Sequence, residues 1–201
     1  MSQAITERLR RGLLAPSGAS SDFDLNPAIE LPPGRVLRPA AVLVAVWLRP
    51  GGARLILTKR ASHLKHHPGQ IAFAGGKVDG GDAGPEGAAL REAQEEIGLP
   101  QAQVEILGCL PPHESVTGFA ITPVLALVHG DFCVVPEPGE VEEVFSLPLG
   151  HVLNPAHFAI ERRLWRGEWR RFYTVPYGPY YIWGATARIL RGLAERVPPC
   201  G

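Results

Sequence analysis

The chain is poor in cysteine: Cys109, Cys133 and Cys200 are the whole complement in 201 residues. An odd number, widely separated and without a CxxC pair, excludes a disulfide framework and a structural zinc site. We read them as two core thiols and one thiol in the tail, suited to a reducing cytoplasm. Long apolar runs are also missing. The longest, Ala40 to Leu48, is too short to cross a bilayer, and the N-terminus has charges but no apolar h-region, so neither membrane insertion nor secretion is expected. Charge of one sign is not in excess either. Lys and Arg total 20 against 20 Asp and Glu, so no global positive field marks the chain for nucleic acid, and any basic site must be local. No internal repeat is present.

What the chain has is turn-forming residues, 23 Gly and 20 Pro, around a 45% hydrophobic content sufficient for one good core. Residues 1–15 read as a short helix, and Ala15 to Gly34, rich in Pro, Gly, Ser and Asp, as an irregular lead-in. Residues 1–34 are therefore set apart from a domain spanning 35–201. Within that domain Ala40 to Leu48 and Arg54 to Lys59 read as strands flanking a turn at Pro50-Gly51-Gly52, the first covered on both faces. Val104 to Leu110, Phe119 to His129 and Val141 to Pro148 are further strand segments, and Thr186 to Arg196 is a C-terminal helix. Strands interspersed with helices imply a mixed α/β domain.

The chemistry concentrates in Gly75 to Leu99, GGKVDGGDAGPEGAALREAQEEIGL. Pro85 suits a first turn, Gly98 and Pro100 mark a stop, and Leu90, Ala93 and Ile97 recur at helical spacing, so about 86–97 is predicted helical. Glu92, Glu95 and Glu96 then share the opposite face. Glu92 and Glu96 are like charges four apart, which costs an isolated helix about 0.2–0.5 kcal/mol. Convergent carboxylates of this kind suit Mg²⁺ or Mn²⁺, with waters and substrate phosphates completing the coordination. A solvated acidic face is the plainer alternative for the helix taken alone.

The flanking residues favour the cation site. Arg91 to Leu99 (REAQEEIGL) resembles, at every fixed position, the REUxEExGU ending of the Nudix box, where U is a bulky apolar residue. Asp82 stands where that box usually has Glu, and one extra residue separates it from Arg91. The longer loop and the upstream segment Leu57-Thr58-Lys59-Arg60-Ala61, Lys65, Gly69 and Phe73-Ala74-Gly75-Gly76 resemble the coenzyme A pyrophosphatase branch, with Ala61, Lys65 and Ala74 in place of Ser, Arg and Pro. Further segments, His113 to Val124, Glu140 to Pro148 and Tyr180 to Leu190, extend the resemblance over about residues 37–195.

That resemblance implies a Nudix fold, a mixed β-sheet sandwiched between helices. It also implies hydrolysis of a diphosphate in coenzyme A or an acyl derivative to 3′,5′-ADP and a 4′-phosphopantetheine product. The alternatives are ADP-ribose or another nucleoside diphosphate derivative, or a sensor that binds a nucleotide without turnover. Glu96 would be the primary metal ligand, Glu92 and Glu95 ligand or base, and Arg91 an anchor between loop and helix. Glu140, Glu142 and Glu143 are candidates for one more acid. Lys59, Arg60 and Lys65, with His66 and His67, are the expected phosphate contacts, and Gly75 and Gly76 bring backbone close to the metal site. Asp79 and Asp82 read as caps or turn formers before outer-shell ligands. Tyr177, Tyr180 and Tyr181 are assigned no role, and Trp183 is read as core. The expected partner is a small molecule, and a homodimer is left open.

Overall fold

A computed structural model of the chain describes residues 2–165 and 167–197, so Cys200 lies outside them. The centre of the molecule is the long strand β2 (Arg38–Arg49), preceded by helix α1 (Ser2–Leu14) and the two-residue strand β1 (Ser20–Ser21). β2 pairs antiparallel with β3 (Gly52–Arg60) across the predicted turn. On its other side it runs parallel to β8 (Phe119–Val128), from Arg38 opposite Phe119 to Trp47 opposite Val128. Paired on both edges and covered on both faces, it is the near-continuous apolar run that its composition implies.

The remaining strands of this sheet hang on those three. β4 (Ile71–Ala72) and β9 (Val141–Pro148) pair with β3, β5 (Gly75–Lys77) with β2, and β6 (Val104–Cys109) and β7 (His113–Glu114) with β8. β1 adds to β7, so the lead-in is not wholly irregular but contributes an edge to the sheet.

Alternation along the strands sends side chains to two cores. On one face Ala41, Leu43, Ala45, Ile56, Val124 and Ala126 pack under helix α2 (Gly84–Ile97), through its Ala88, Ala89, Ala93 and Ile97. On the other, Val44, Val46, Leu55, Leu57, Leu125 and Leu147 meet Leu9 of α1, the short helix α3 (Leu149–Val152) and helix α4 (Gly184–Arg196). Helices therefore cover both faces of a mixed sheet, an α/β/α arrangement.

Three sequence expectations need correction. Cys109 and Cys133 are exposed, not core thiols, the first at the end of β6 and the second in the loop between β8 and β9. Trp183 is half-buried at the entrance to α4, its ring edge-on to Phe172, while the fully buried residue there is Ile182. A two-stranded antiparallel hairpin, β10 (Ala159–Trp165) and β11 (Glu168–Thr174), occupies a stretch with no strand assignment from sequence. Every residue of β10 is exposed, so no burial pattern betrays it. Among the described residues no helix is long and apolar enough to cross a membrane.

Candidate active site

Helix α2 begins with Pro85 in its first turn and ends at Gly98, whose left-handed φ of 71° lets its N–H reach the Gln94 carbonyl at 3.0 Å. The next N–H, of Leu99, returns to the Ala93 carbonyl at 3.3 Å. This double closure is the usual glycine-terminated helix end. It fixes the rotation of the helix just below the acidic residues.

The carboxylates do not all converge. Glu96 is only 5% exposed, on the packed side of the helix rather than opposite it, and its Oε2 accepts the Gly75 N–H at 3.2 Å. Burial is the main reason its carboxyl is pushed up to about 8, with the nearby charges of Glu92 and Glu140 adding to the rise and Gly75 and Arg60 opposing it. Glu92 lies beside it, also raised by burial and held down by Arg91. Glu95 points the other way, its side chain 59% exposed and paired with Arg91 at 3.1 Å. At 100° per residue Glu95 and Glu96 cannot both face the sheet.

Gly75 and Gly76 are wedged between β2 and α2, opposite Val42 and Ala41 respectively. A Cβ on Gly75 would lie 2.4 Å from the Ala41 carbonyl oxygen, and one on Gly76 would lie 2.4 Å from Glu92 Oε1. Absence of a side chain is what lets the strand backbone touch both acids. Ala74, in place of proline, is buried, and its carbonyl accepts the Leu43 N–H at 2.8 Å.

Arg91 ties the loop to the helix. Its Nε and one terminal nitrogen donate to the two Asp82 oxygens at 2.9 and 3.0 Å, a bidentate fork, and it also reaches the Lys77 carbonyl, Glu92 and Glu95. Asp82 in turn accepts the Asp79 N–H at 2.8 Å, and these donors hold its carboxyl below the usual range. Asp82 thus closes the loop. Between Asp82 and Arg91 the chain turns left-handed at Gly84, φ 74°, with nothing pressing on it.

The distant acids sort themselves by partner. Glu142 bonds Lys59 at 2.6 Å together with the Ser62 backbone and hydroxyl, and Glu143 accepts from the Tyr180 hydroxyl. Glu140 has neither restraint, and its charge reaches both Glu92 and Glu96. Of the expected phosphate contacts, Arg60 lies close enough to act on Glu96 and His67, Lys59 is engaged by Glu142, and Lys65 is exposed on the following loop. Partial burial and the charges of Arg60 and His66 push His67 below the usual histidine range, so it is neutral near pH 7.

These donors suit a hard divalent ion. Glu96, Glu92 and Glu140 offer oxygen only, and the mutual repulsion that raises Glu96 is what a cation would remove. Among the described residues no three acidic, His or Cys side chains already enclose such an ion. A cavity of about 380 Å³ between the lead-in and α4, lined in part by Leu110, Ile189 and Arg196, is on the other face of the sheet from α2.

Residues 37–165 match the NUDIX domain. The chain belongs to the Nudix hydrolase family. It is 46% identical over 165 residues to an uncharacterized Nudix hydrolase, NudL, of Enterobacter sp. (strain 638), covering 80% of this chain and 83% of that protein. The NudL of Escherichia coli (strain K12 / DH10B) is 42% identical over 160 residues at the same coverage. Among solved structures, the Nudix hydrolase RenU from M. smegmatis superposes with a TM-score of 0.54 at 23% identity, covering 82% of this chain and 89% of that one. The NUDIX domain of Shewanella oneidensis NrtR, solved with ADP ribose, gives 0.52 at 15% identity, covering 86% and 93%. The α/β/α arrangement is thus the Nudix fold, and hydrolases of this family generally use divalent metal ions.

Proposed function

We propose that the chain hydrolyses the diphosphate of coenzyme A or an acyl-coenzyme A, giving 3′,5′-ADP and the (acyl-)4′-phosphopantetheine, with Mg²⁺ or Mn²⁺ as cofactor. The observation that carries the hydrolytic half is the buried Glu96 carboxylate, held by the Gly75 N–H beside Glu92 and within reach of the Glu140 charge. The coenzyme A half rests on the 57–76 segment, which ends on the two glycines against those acids.

In this reading Glu96 and Glu92 hold the metal, with Glu140 completing the acidic set and Glu95 acting from the solvent side as outer ligand or base. A bound divalent ion supplies charge neutralisation at phosphate oxygens and a lower pKa for an attacking water. The Gly75-Gly76 backbone fixes Glu96 and Glu92. Arg91 holds the loop and helix in register, a positioning role. Arg60 faces the incoming phosphates beside Glu96, and Lys59 and Lys65 add positive charge along the same rim, Lys59 after release from Glu142.

The test is incubation of the protein with Mg²⁺ or Mn²⁺ and a panel of coenzyme A, ADP-ribose, dinucleotide polyphosphates and nucleoside triphosphates, with products identified by mass. We expect 3′,5′-ADP from coenzyme A as the fastest product. Faster cleavage of ADP-ribose would overturn the coenzyme A assignment, and binding without cleavage would favour a sensor. Glu96→Gln should lower turnover by about 10²-fold or more, the scale of losing a transition-state electrostatic contact, while the circular dichroism spectrum stays that of the parent.

A further inference from the structure

The β10–β11 hairpin is built against its own stability. Its register places Arg162 opposite Arg171 and Arg163 opposite Arg170, two successive like-charge pairs that weaken an isolated hairpin. The pairs lie on opposite faces. Arg162 and Arg171 share theirs with Leu164 and Trp169, and Arg162 lies over the Trp169 ring at 4.9 Å. Arg163 and Arg170 share the other with Glu161, Trp165, Glu168 and Phe172.

That second face lies against the segment that leads into α4. Phe172 packs on Trp183, and Glu161 accepts from the Tyr181 hydroxyl at 2.7 Å, where the Arg163 charge is also felt. The neighbouring Tyr180 bonds Glu143, which lies opposite Lys59 at the end of β3, beside Arg60. Among the described residues neither Arg163 nor Arg170 meets a carboxylate. Glu161 is committed to Tyr181 and Thr174, and Arg170 stacks over Trp165 at 4.2 Å with its buried Nε lacking a hydrogen-bond partner. Two adjacent guanidinium groups with no carboxylate bonded to them, on a hairpin linked to Lys59 and Arg60 through Tyr181, Tyr180 and Glu143, are matched by a phosphate dianion.

We propose that Arg163 and Arg170 bind a phosphomonoester of the substrate remote from the bond that is cut, which in coenzyme A is the 3′-phosphate of the adenosine. This assignment rests on the coenzyme A reading and makes the hairpin its specificity element. The like-charge pair is then satisfied by substrate, and a diphosphate lacking the extra phosphate leaves it uncompensated.

The test compares coenzyme A with 3′-dephospho-coenzyme A, in the presence of Mg²⁺, on the parent protein, R163Q/R170Q, R163K/R170K and R162Q/R171Q. The parent should prefer coenzyme A in kcat/KM. R163Q/R170Q should raise KM for coenzyme A about tenfold, the scale of a lost charge-assisted contact, with a much smaller change for the dephospho substrate. The lysine pair should restore part of the preference. The same charge removed from the other face in R162Q/R171Q should leave the preference standing. A preference unaltered in R163Q/R170Q, or lost equally in R162Q/R171Q, overturns the hairpin assignment alone. A parent that cleaves neither substrate overturns both it and the coenzyme A reading. Single Arg163→Gln and Arg170→Gln variants, checked by thermal melting, serve if the double variant misfolds.

Discussion

Glu96 is the residue on which the site turns, and its burial has a thermodynamic signature. An unfolded chain loses the Glu96 proton near 4.5, whereas the folded protein keeps it to about 8. Between those values the folded state binds the extra proton, so this residue's contribution to stability falls as pH rises through that window. In chelator, Glu96→Gln should therefore melt higher than the parent at pH 8, with the difference shrinking toward pH 5. Adding Mn²⁺ at pH 8 should raise the parent's melting temperature more than the variant's, because the ion replaces the proton as the neutralising partner. Thermal melts at several pH values, with and without metal, decide this; a variant less stable than the parent at pH 8 in chelator would contradict it.

At the scale of elements, the loop and helix act as one unit because a single guanidinium joins them. Arg91 spans Asp82, the Lys77 carbonyl, Glu92 and Glu95, a set that the point charge of lysine cannot cover. Arg91→Lys should cost about 1.5–3 kcal/mol, the range for hydrogen bonds to charged groups. The loss should show as faster amide hydrogen exchange across Lys77 to Asp82, leaving β2 and β8 protected. Helix α2 and five principal strands were legible in sequence, the helix from its periodic apolar face and β2 from its near-continuous apolar run, and the boundaries differ by a few residues at most. The hairpin was not legible, since β10 is exposed along its whole length and β11 is buried only toward its end at Thr174. Helical periodicity alone did not separate Glu95 from Glu96, which only the family resemblance ranked; in the fold the Gly75 N–H bonds Glu96 and Glu95 points to solvent. Likewise, Glu140, Glu142 and Glu143 are distinguished only by the Lys59, Ser62 and Tyr180 side chains that the fold brings to them.

For the whole molecule, the two-sided sheet makes the N-terminal helix part of the interior. Leu9 is completely buried among residues of the α4 core. Leu9→Ala should thus destabilise the protein by about 2–5 kcal/mol, as for other buried leucines. Denaturant titration should show a lowered midpoint without a separate early transition, since α1 shares the core of β6 and α4. A variant as stable as the parent would show that the helix contributes nothing to the folded unit.

The left-handed turn at Gly84 bears on how much loop length says about chemistry. Gly84 makes that turn in open space at the start of the helix, and Asp82 meets Arg91 across it. Lengthening such a loop by one residue costs only a few tenths of a kcal/mol in closure entropy. Its length can therefore drift along a lineage with little selective penalty, and it marks ancestry more directly than it sets what the enzyme cuts.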